Sequence, residues 1–172
     1  CRTLVVNDAE VALSAETKGE PGALLISGTG SIGYAINRTG ETCRVGGYGY
    51  LVGDEGSAYW VSRKAIQYIL RAFDQTGRKP EMFARICDVL GIREIDQLVD
   101  FVYQSNKAEV AKLALSVVQA FEDDDPMAER IMKSAAAHLS TMAISLGRRL
   151  KMKDERCPLV FSGSMLTRTP WL

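Results

Sequence analysis

The sequence predicts an α/β fold in which a mixed β-sheet is flanked by helices. Short apolar segments separated by glycine-rich turns dominate the first third of the 172-residue chain, where most of its 15 glycines lie. Helical periodicity then takes over, and one more short apolar segment follows near the end. Strands, then helices, then a strand indicate helices layered on a sheet around one core.

Apolar runs predict four strands in the first third, at 3–6, 23–26, 32–36 and 41–45, with a helix at 9–18. The segment Asn37-Arg38-Thr39-Gly40 has the residues of a hairpin turn, so the strands on either side of it are expected to be antiparallel neighbours.

Helices are predicted for most of the remaining chain. Apolar residues recur every three or four positions from 57 to 74, and Gly77 ends this pattern. Shorter helices are expected at 81–90, 94–104 and 107–121. An N-cap acid and a proline at the first helical position, Asp125-Pro126, begin a long helix that extends to 150. The last predicted strand is 158–162.

The composition argues against several classes of protein. Hydrophobic residues make up 47% and charged residues 24%, an ordinary balance for a globular domain. The 21 basic and 21 acidic residues cancel, and there is neither a membrane-length apolar run nor a signal-peptide pattern. We therefore expect a cytoplasmic protein with no nucleic-acid or membrane partner. Its four cysteines show no paired spacing, so no metal site is expected.

Three predicted strands end in small polar residues, at 7–8, 27–31 and 162–164, and ligands gather at strand ends in open α/β sheets. The turn at 28–31, Gly-Thr-Gly-Ser, exposes backbone N–H groups that suit phosphate oxygens, although plain hairpins use the same residues. Asp8 is either a general base, a metal ligand or a helix N-cap. Asp54 and Glu55 are either ligand contacts or first-turn acids of the next helix.

Three blocks occur in order: Val5-Val6-Asn7-Asp8-Ala9-Glu10, then LISGTGS at 25–31, then GGYGYLVGDEGSAYW at 46–60. Together they resemble the N-acetylglucosamine kinase and BadF/BadG/BcrA/BcrD ATPase family of the actin/hexokinase/Hsp70-like superfamily. The GDEGSxYW motif after GTGS is the most specific part, and 159–167 resembles the family's adenosine-binding turn. The resemblance implies a ribonuclease H-like, actin-like ATPase lobe.

The family has two lobes that close over a nucleotide and a sugar. By this resemblance, residues 1–21 are the tail end of the N-terminal ATPase lobe, and 22–172 are the C-terminal lobe, incomplete at its C-terminus. The family's first phosphate-binding hairpin, an Asp-Gly-Gly-Gly-Thr pattern, has no counterpart in this sequence. We therefore expect this piece alone to be inactive as a kinase.

The resemblance also implies roles for single residues. Asp8 matches the catalytic base. Positions that match sugar-binding residues are Ser31, Ile32, Gly47, Tyr48, Gly49 and Asp54. Positions that match nucleotide-binding residues are Thr29, Gly30, Phe121, Gly163 and Thr167. The implied cofactors are ATP and Mg²⁺, with no metal held by side chains, and the full-length protein is expected to be a homodimer.

The implied function is ATP-dependent phosphorylation of a sugar hydroxyl, on an amino sugar such as N-acetylglucosamine, glucosamine or N-acetylmuramic acid. Ile32 stands where the animal N-acetylglucosamine kinases carry an asparagine, and Tyr48 where a tryptophan is usual, so the sugar itself stays open. One alternative is an ATPase that activates an acyl-CoA reductase or dehydratase, although its iron–sulfur cluster needs suitably paired cysteines, which this sequence lacks. Another is a sugar-sensing module without catalysis, against which the presence of Asp8 argues.

Overall fold

In the computed structural model, which describes residues 8–152 and 156–169, four strands form one mixed sheet in the order β3-β2-β1-β4. The strands are β1 (Gly22–Ser27), β2 (Ser31–Ile36), β3 (Thr42–Gly46) and β4 (Leu159–Ser162). Strands β1, β2 and β3 are antiparallel neighbours, whereas β4 is parallel to β1. The predicted mixed sheet is therefore confirmed, and the strand predicted at 3–6 lies outside the described residues.

The helices are α1 (Asp8–Thr17), α2 (Ala58–Thr76), α3 (Glu81–Leu90), α4 (Ile95–Gln104), α5 (Lys107–Ala111), α6 (Ala114–Glu122), α7 (Pro126–Arg149) and α8 (Ser164–Thr167). The two predicted helix signals are confirmed. The Asp125 side chain accepts hydrogen bonds from two backbone N–H groups in the first turn of α7. Gly77 ends α2 in a left-handed conformation with φ of +64°.

The prediction of one helix over 107–121 is wrong, because two helices occupy this segment. At the break, the N–H of Lys112 donates to Glu109 and that of Leu113 donates to Val110, each only three residues back. This tight turn ends α5, and the side chain of Leu113 is buried there at 1% exposure. The short helix α8 was not predicted either.

The two faces of the sheet are covered by different helices. Leu24 and Tyr34 point to one face, where they pack against Leu13 of α1. The next residue of β1, Leu25, points to the other face and packs against Leu139 of α7. This alternation is the period of two expected for strands buried on both sides.

A separate helical layer holds the larger core. Helices α2 to α6 and the first half of α7 share one apolar cluster, which Met165 of α8 joins. Its most deeply buried members, at 0 or 1% exposure, include Ile69, Ile86, Leu98, Leu113 and Val117. Among the residues that the structure describes, none of the helices has the length and apolar character needed to cross a membrane.

Candidate functional site

A tight turn of residues 28–30, the GTG turn, joins β1 to β2. The N–H of Gly28 donates to the carbonyl oxygen of Gly30 at 3.0 Å. The flanking residues Ser27 and Ser31, which pair across the hairpin, are buried at 0 and 3% exposure, whereas Thr29 is exposed. The turn therefore presents Thr29 and the backbone of Gly30 at the end of the sheet.

Residues 53–57, the acidic loop, are fastened to the GTG turn by hydrogen bonds. The Ser27 hydroxyl donates to the carbonyl oxygen of Gly56 at 2.9 Å, and the Ser31 hydroxyl donates to that of Glu55 at 2.8 Å. The N–H of Ala58, the first residue of α2, donates to the carbonyl oxygen of Gly28 at 2.8 Å. Three bonds thus join the turn, the loop and the start of α2 into one unit.

Asp54 is the buried carboxylate of this unit, at 3% exposure. Its Oδ1 accepts a hydrogen bond from the N–H of Ser31 at 3.4 Å, and its Oδ2 accepts one from Lys107 Nζ at 2.6 Å. The alternative reading of Asp54 as a first-turn acid is wrong, because α2 begins at Ala58 and is capped by the Ser57 side chain. Lys107 is the first residue of α5 and was not predicted from the sequence as a site residue. The position of α5 brings its side chain to Asp54.

Gly30 is in close contact with this ion pair. A Cβ atom at Gly30 would lie 2.9 Å from both Asp54 Oδ2 and Lys107 Nζ, closer than real side chains approach. A side chain at this position would displace the ion pair, because the backbone of the GTG turn lies directly against the two charged groups.

Residues 46–49, the glycine loop, bring most of the predicted sugar-binding positions together. The N–H of Gly47 donates to the carbonyl oxygen of Ser31 at 3.1 Å, and a Cβ at Gly47 would lie 2.8 Å from Ile32 Cδ1. Gly49, with φ of +89°, continues the loop. The side chain of Tyr48 is 62% exposed, so one aromatic ring projects beside these backbone groups.

The turn after β4 lies against the GTG turn, because β4 is the parallel neighbour of β1. A Cβ at Gly163 would lie 2.3 Å from the carbonyl oxygen of Ser27, and Gly163 has φ of +88°. The exposed Thr167 donates from Oγ1 to the carbonyl oxygen of Gly163 at 3.1 Å. Two of the predicted nucleotide-binding positions, Gly163 and Gly30, are therefore carried by adjoining turns.

Asp8 is the first residue of α1, where its side chain is exposed. Helix α1 is held on the sheet by the Tyr34 hydroxyl, which donates to Glu10 Oε2 at 2.8 Å. Burial, followed by this hydrogen bond, raises the pKa of Tyr34. The carboxylate of Asp8 is thus carried by a helix whose packing on β1 and β2 is fixed.

Phe121 lies near the end of α6, in the helical layer and outside the unit of turns. It lines a cavity of about 500 Å³ together with Glu122, Asp124 and Glu129. The three carboxylates make this cavity acidic, so it would repel phosphate groups.

No cluster of three or more His, Cys, Asp and Glu side chains able to bind a metal ion occurs within residues 8–152 and 156–169. Cys43 of β3 and Cys87 of α3 are free thiols, and Cys157 lies in the segment before β4. Burial raises the pKa of the Cys87 thiol, which keeps it protonated and unreactive at neutral pH.

Comparison with curated proteins finds sugar kinases. The chain is 35% identical over 173 residues to the N-acetylmuramic acid/N-acetylglucosamine kinase of Clostridium acetobutylicum, covering 99% of this chain and 56% of that protein. It is 34% identical over 167 residues to the N-acetyl-D-glucosamine kinase of Dictyostelium discoideum, covering 94% and 52%. The chain therefore spans about half the length of the curated relatives it matches.

Solved structures show the same fold. A candidate N-acetylglucosamine kinase from Chromobacterium violaceum superposes with a TM-score of 0.84 at 28% identity, over 97% of this chain and 56% of that one. A second candidate N-acetylglucosamine kinase, from Porphyromonas gingivalis, has a TM-score of 0.69 at 24% identity over 90% and 51%, and supports the fold alone. The predicted fold class, an actin-like ATPase lobe, is confirmed.

The family itself is identified by a match that covers nearly the whole chain. Residues 2–172 match the BadF/BadG/BcrA/BcrD ATPase family, the one that the three sequence blocks resemble. This chain belongs to the BadF/BadG/BcrA/BcrD ATPase family.

Proposed function

We propose that the protein is an ATP-dependent kinase that transfers the γ-phosphoryl group of ATP to a hydroxyl of an amino sugar. The kinases named above support the reaction and the substrate class. The observation that carries the proposal is the single hydrogen-bonded unit formed by the GTG turn, the acidic loop and the start of α2. Exposed backbone of the GTG turn lies beside a buried carboxylate in this unit, an arrangement that supports phosphate binding next to a sugar.

The nucleotide would lie along the two adjoining turns. Thr29 and the N–H of Gly30 would hold phosphate oxygens, while Gly163 and Thr167 would contact the adenosine. Their spacing is fixed because Gly163 packs directly on Ser27. Phe121 is proposed as a further adenosine contact, from the acidic cavity of the helical layer.

The sugar would bind between the glycine loop and the acidic loop. Asp54 would accept hydrogen bonds from sugar hydroxyls, since a carboxylate has more acceptor positions than the two bonds that occupy it. Ser31, Gly47 and Gly49 would contribute backbone contacts, and the exposed Tyr48 ring an aromatic face. Ile32 has no hydrogen-bonding group, so its contact with the sugar would be apolar.

In the proposed reaction, the attacking sugar oxygen forms a bond to the γ-phosphorus while the bond from that phosphorus to the bridging oxygen of ADP breaks. The hydroxyl proton passes to the carboxylate of Asp8 as general base. Mg²⁺ would be held by the phosphate oxygens, since the turns supply backbone groups and no carboxylate cluster, and it would neutralise charge on the phosphates.

The proposal is tested with a panel of amino sugars and hexoses, each incubated with ATP and the full-length protein. We expect ADP release that depends on an amino sugar such as N-acetylglucosamine, glucosamine or N-acetylmuramic acid. Activity on neutral hexoses alone, or no sugar-dependent ADP release, would show the proposal to be wrong.

The two alternatives predict different results. An ATPase that activates an acyl-CoA reductase or dehydratase would carry an iron–sulfur cluster, visible as an absorption band in anaerobically purified full-length protein. We expect no such band, because the three described cysteines lie in separate elements. A sugar-sensing module would bind the sugar without consuming ATP.

Three further expectations stay predictions: the lobe boundary at residue 21, the homodimer and the cytoplasmic location. Light scattering on the full-length protein tests the dimer, since a monomer mass would contradict it.

A further inference from the structure

The ion pair between Lys107 and Asp54 differs from the other ion pairs of the described residues. The Asp54 side chain is 4% exposed and Lys107 is 28% exposed, while each of the other pairs includes a carboxylate that is at least 49% exposed. Exposed pairs of that kind contribute little to stability. Burying the Asp54 carboxylate has a desolvation cost, which Lys107 offsets from a partly exposed position.

The pair joins elements that are far apart in sequence. Lys107 and Asp54 are separated by 53 residues, and Lys107 is the first residue of α5, which packs on α2. The preceding residue, Asn106, caps α5 by accepting hydrogen bonds from the N–H groups of Ala108 and Glu109. The base of the lysine side chain is therefore held by a capped helix start.

At its other end, the ammonium group contacts both parts of the site. Lys107 Nζ lies 2.6 Å from Asp54 Oδ2, and it occupies the space that a Gly30 side chain would need. It also lies 5.8 Å from the centre of the Tyr50 ring, which packs edge-on against Tyr59 of α2. The ammonium thereby limits the directions in which the Asp54 carboxylate can point.

We propose that Lys107 is a positioning residue for sugar recognition, which acts by holding the Asp54 carboxylate in the orientation that accepts a sugar hydroxyl. This inference rests on the proposed function. Oδ2 is directed by Lys107 and Oδ1 by the N–H of Ser31, so the remaining acceptor positions of the carboxylate have a fixed direction. Without Lys107, Asp54 would rotate or take up water, and the sugar would lose a preorganised partner.

The test measures steady-state kinetics of the full-length protein with Lys107→Met, varying the sugar at saturating ATP and then ATP at saturating sugar. We expect kcat/KM for the sugar to fall about 10- to 100-fold, as for the loss of a charge-assisted hydrogen bond, and KM for ATP to stay within about twofold. Lys112→Met is the matched control, because Lys112 is exposed and lies in the same segment. It is expected to match the wild type.

Two further variants separate positioning from a general effect on folding. Lys107→Arg keeps the charge and should recover part of the sugar kcat/KM, and Lys107→Gln serves if the methionine variant does not fold. Adding Lys107→Met to Asp54→Asn should cause little further loss, because a residue that acts through Asp54 has no effect once that carboxylate is gone.

Each outcome of these kinetic experiments either supports or overturns the role proposed for Lys107. An unchanged sugar kcat/KM in a folded Lys107 variant overturns the inference, as does an equal loss for ATP or a double variant whose losses simply add. In these cases an active wild type leaves the proposed function standing. A wild type without activity on any sugar overturns both.

Discussion

The site region and the helical layer of this chain are stabilised in different ways. Around the GTG turn, buried serines, one buried carboxylate and glycines at positive φ set the backbone through hydrogen bonds. In α2 to α6, apolar side chains fill a common core instead. Some glycines also differ, since a methyl group has no room at Gly56 or Gly163 of the site region but meets open space at Gly77, which ends α2. The residues that the site tolerates are therefore restricted mainly by backbone conformation, and those that the helical layer tolerates mainly by side-chain volume.

The largest effect is expected from Asp8, which belongs to neither region. Asp8→Asn in the full-length protein should lower kcat about 10²- to 10⁴-fold while largely preserving sugar binding, because the proposed general base is lost and the turns stay intact. Sugar-dependent ADP release and a direct sugar-binding titration measure the two quantities. A kcat within about threefold of the wild type would mean that Asp8 is not the base.

Glycine-to-alanine substitutions in the two regions should differ in how much they lower the free energy of unfolding. Gly56→Ala brings a Cβ to 2.6 Å from Leu139 Cγ at φ of +79°, and we expect a loss of about 2–5 kcal/mol of unfolding free energy from strain and overpacking. Gly77→Ala, the matched control at φ of +64° in open space, should cost only about 1 kcal/mol. Urea unfolding of the full-length variants measures both, and equal losses would contradict the contrast.

The attachment of α1 to the sheet should respond to alkaline pH. The pKa of Tyr34 is raised above 10.0, so the folded state binds its proton more tightly than the unfolded state. This stabilisation is complete below pH 10 and is lost as the pH rises through the folded pKa. Tyr34→Phe should lose about 1 kcal/mol at neutral pH and decline less steeply above pH 10.

Urea unfolding at neutral pH and above pH 10 checks this prediction. The control is Tyr103→Phe, since Tyr103 is 87% exposed. If Tyr34→Phe followed the same alkaline decline as the wild type, the hydroxyl would not be responsible.

The smallest effect is expected in the helical core. Ile86 is fully buried in α3, so Ile86→Val should cost about 0.5–1.5 kcal/mol of unfolding free energy through the lost methylene. Because α3 packs on α2 and α6 and carries none of the proposed site residues, the sugar KM should not change. A shift in sugar KM beyond about twofold would show that the two regions are coupled through packing.

Local chemistry made much of the fold predictable. The hairpin at 37–40 follows from Asn37, whose Oδ1 accepts from the N–H groups of Thr39 and Glu41. The start of α7 follows from Asp125 and Pro126.

What could not be predicted depends on contacts between distant residues. The break between α5 and α6 places Leu113 in a core that no local pattern defines. Lys107 reads as an ordinary first residue of a helix, and only the folded chain brings it to Asp54. The left-handed conformation of Asp54, with φ of +61°, was not predicted either, because only a minority of aspartates adopt it although the residue type is enriched there.

The parallel pairing of β1 with β4 has a consequence for the order of folding. The hairpin of β1 and β2 joins neighbouring segments and can form early. The pairing of Ala23 with Leu159 joins residues that the whole helical layer separates in sequence, so it forms later. Pairings of such long sequence separation form slowly, and during synthesis β4 leaves the ribosome after β1 and the helical layer. We therefore expect Gly163 to reach its position against Ser27 only late in folding.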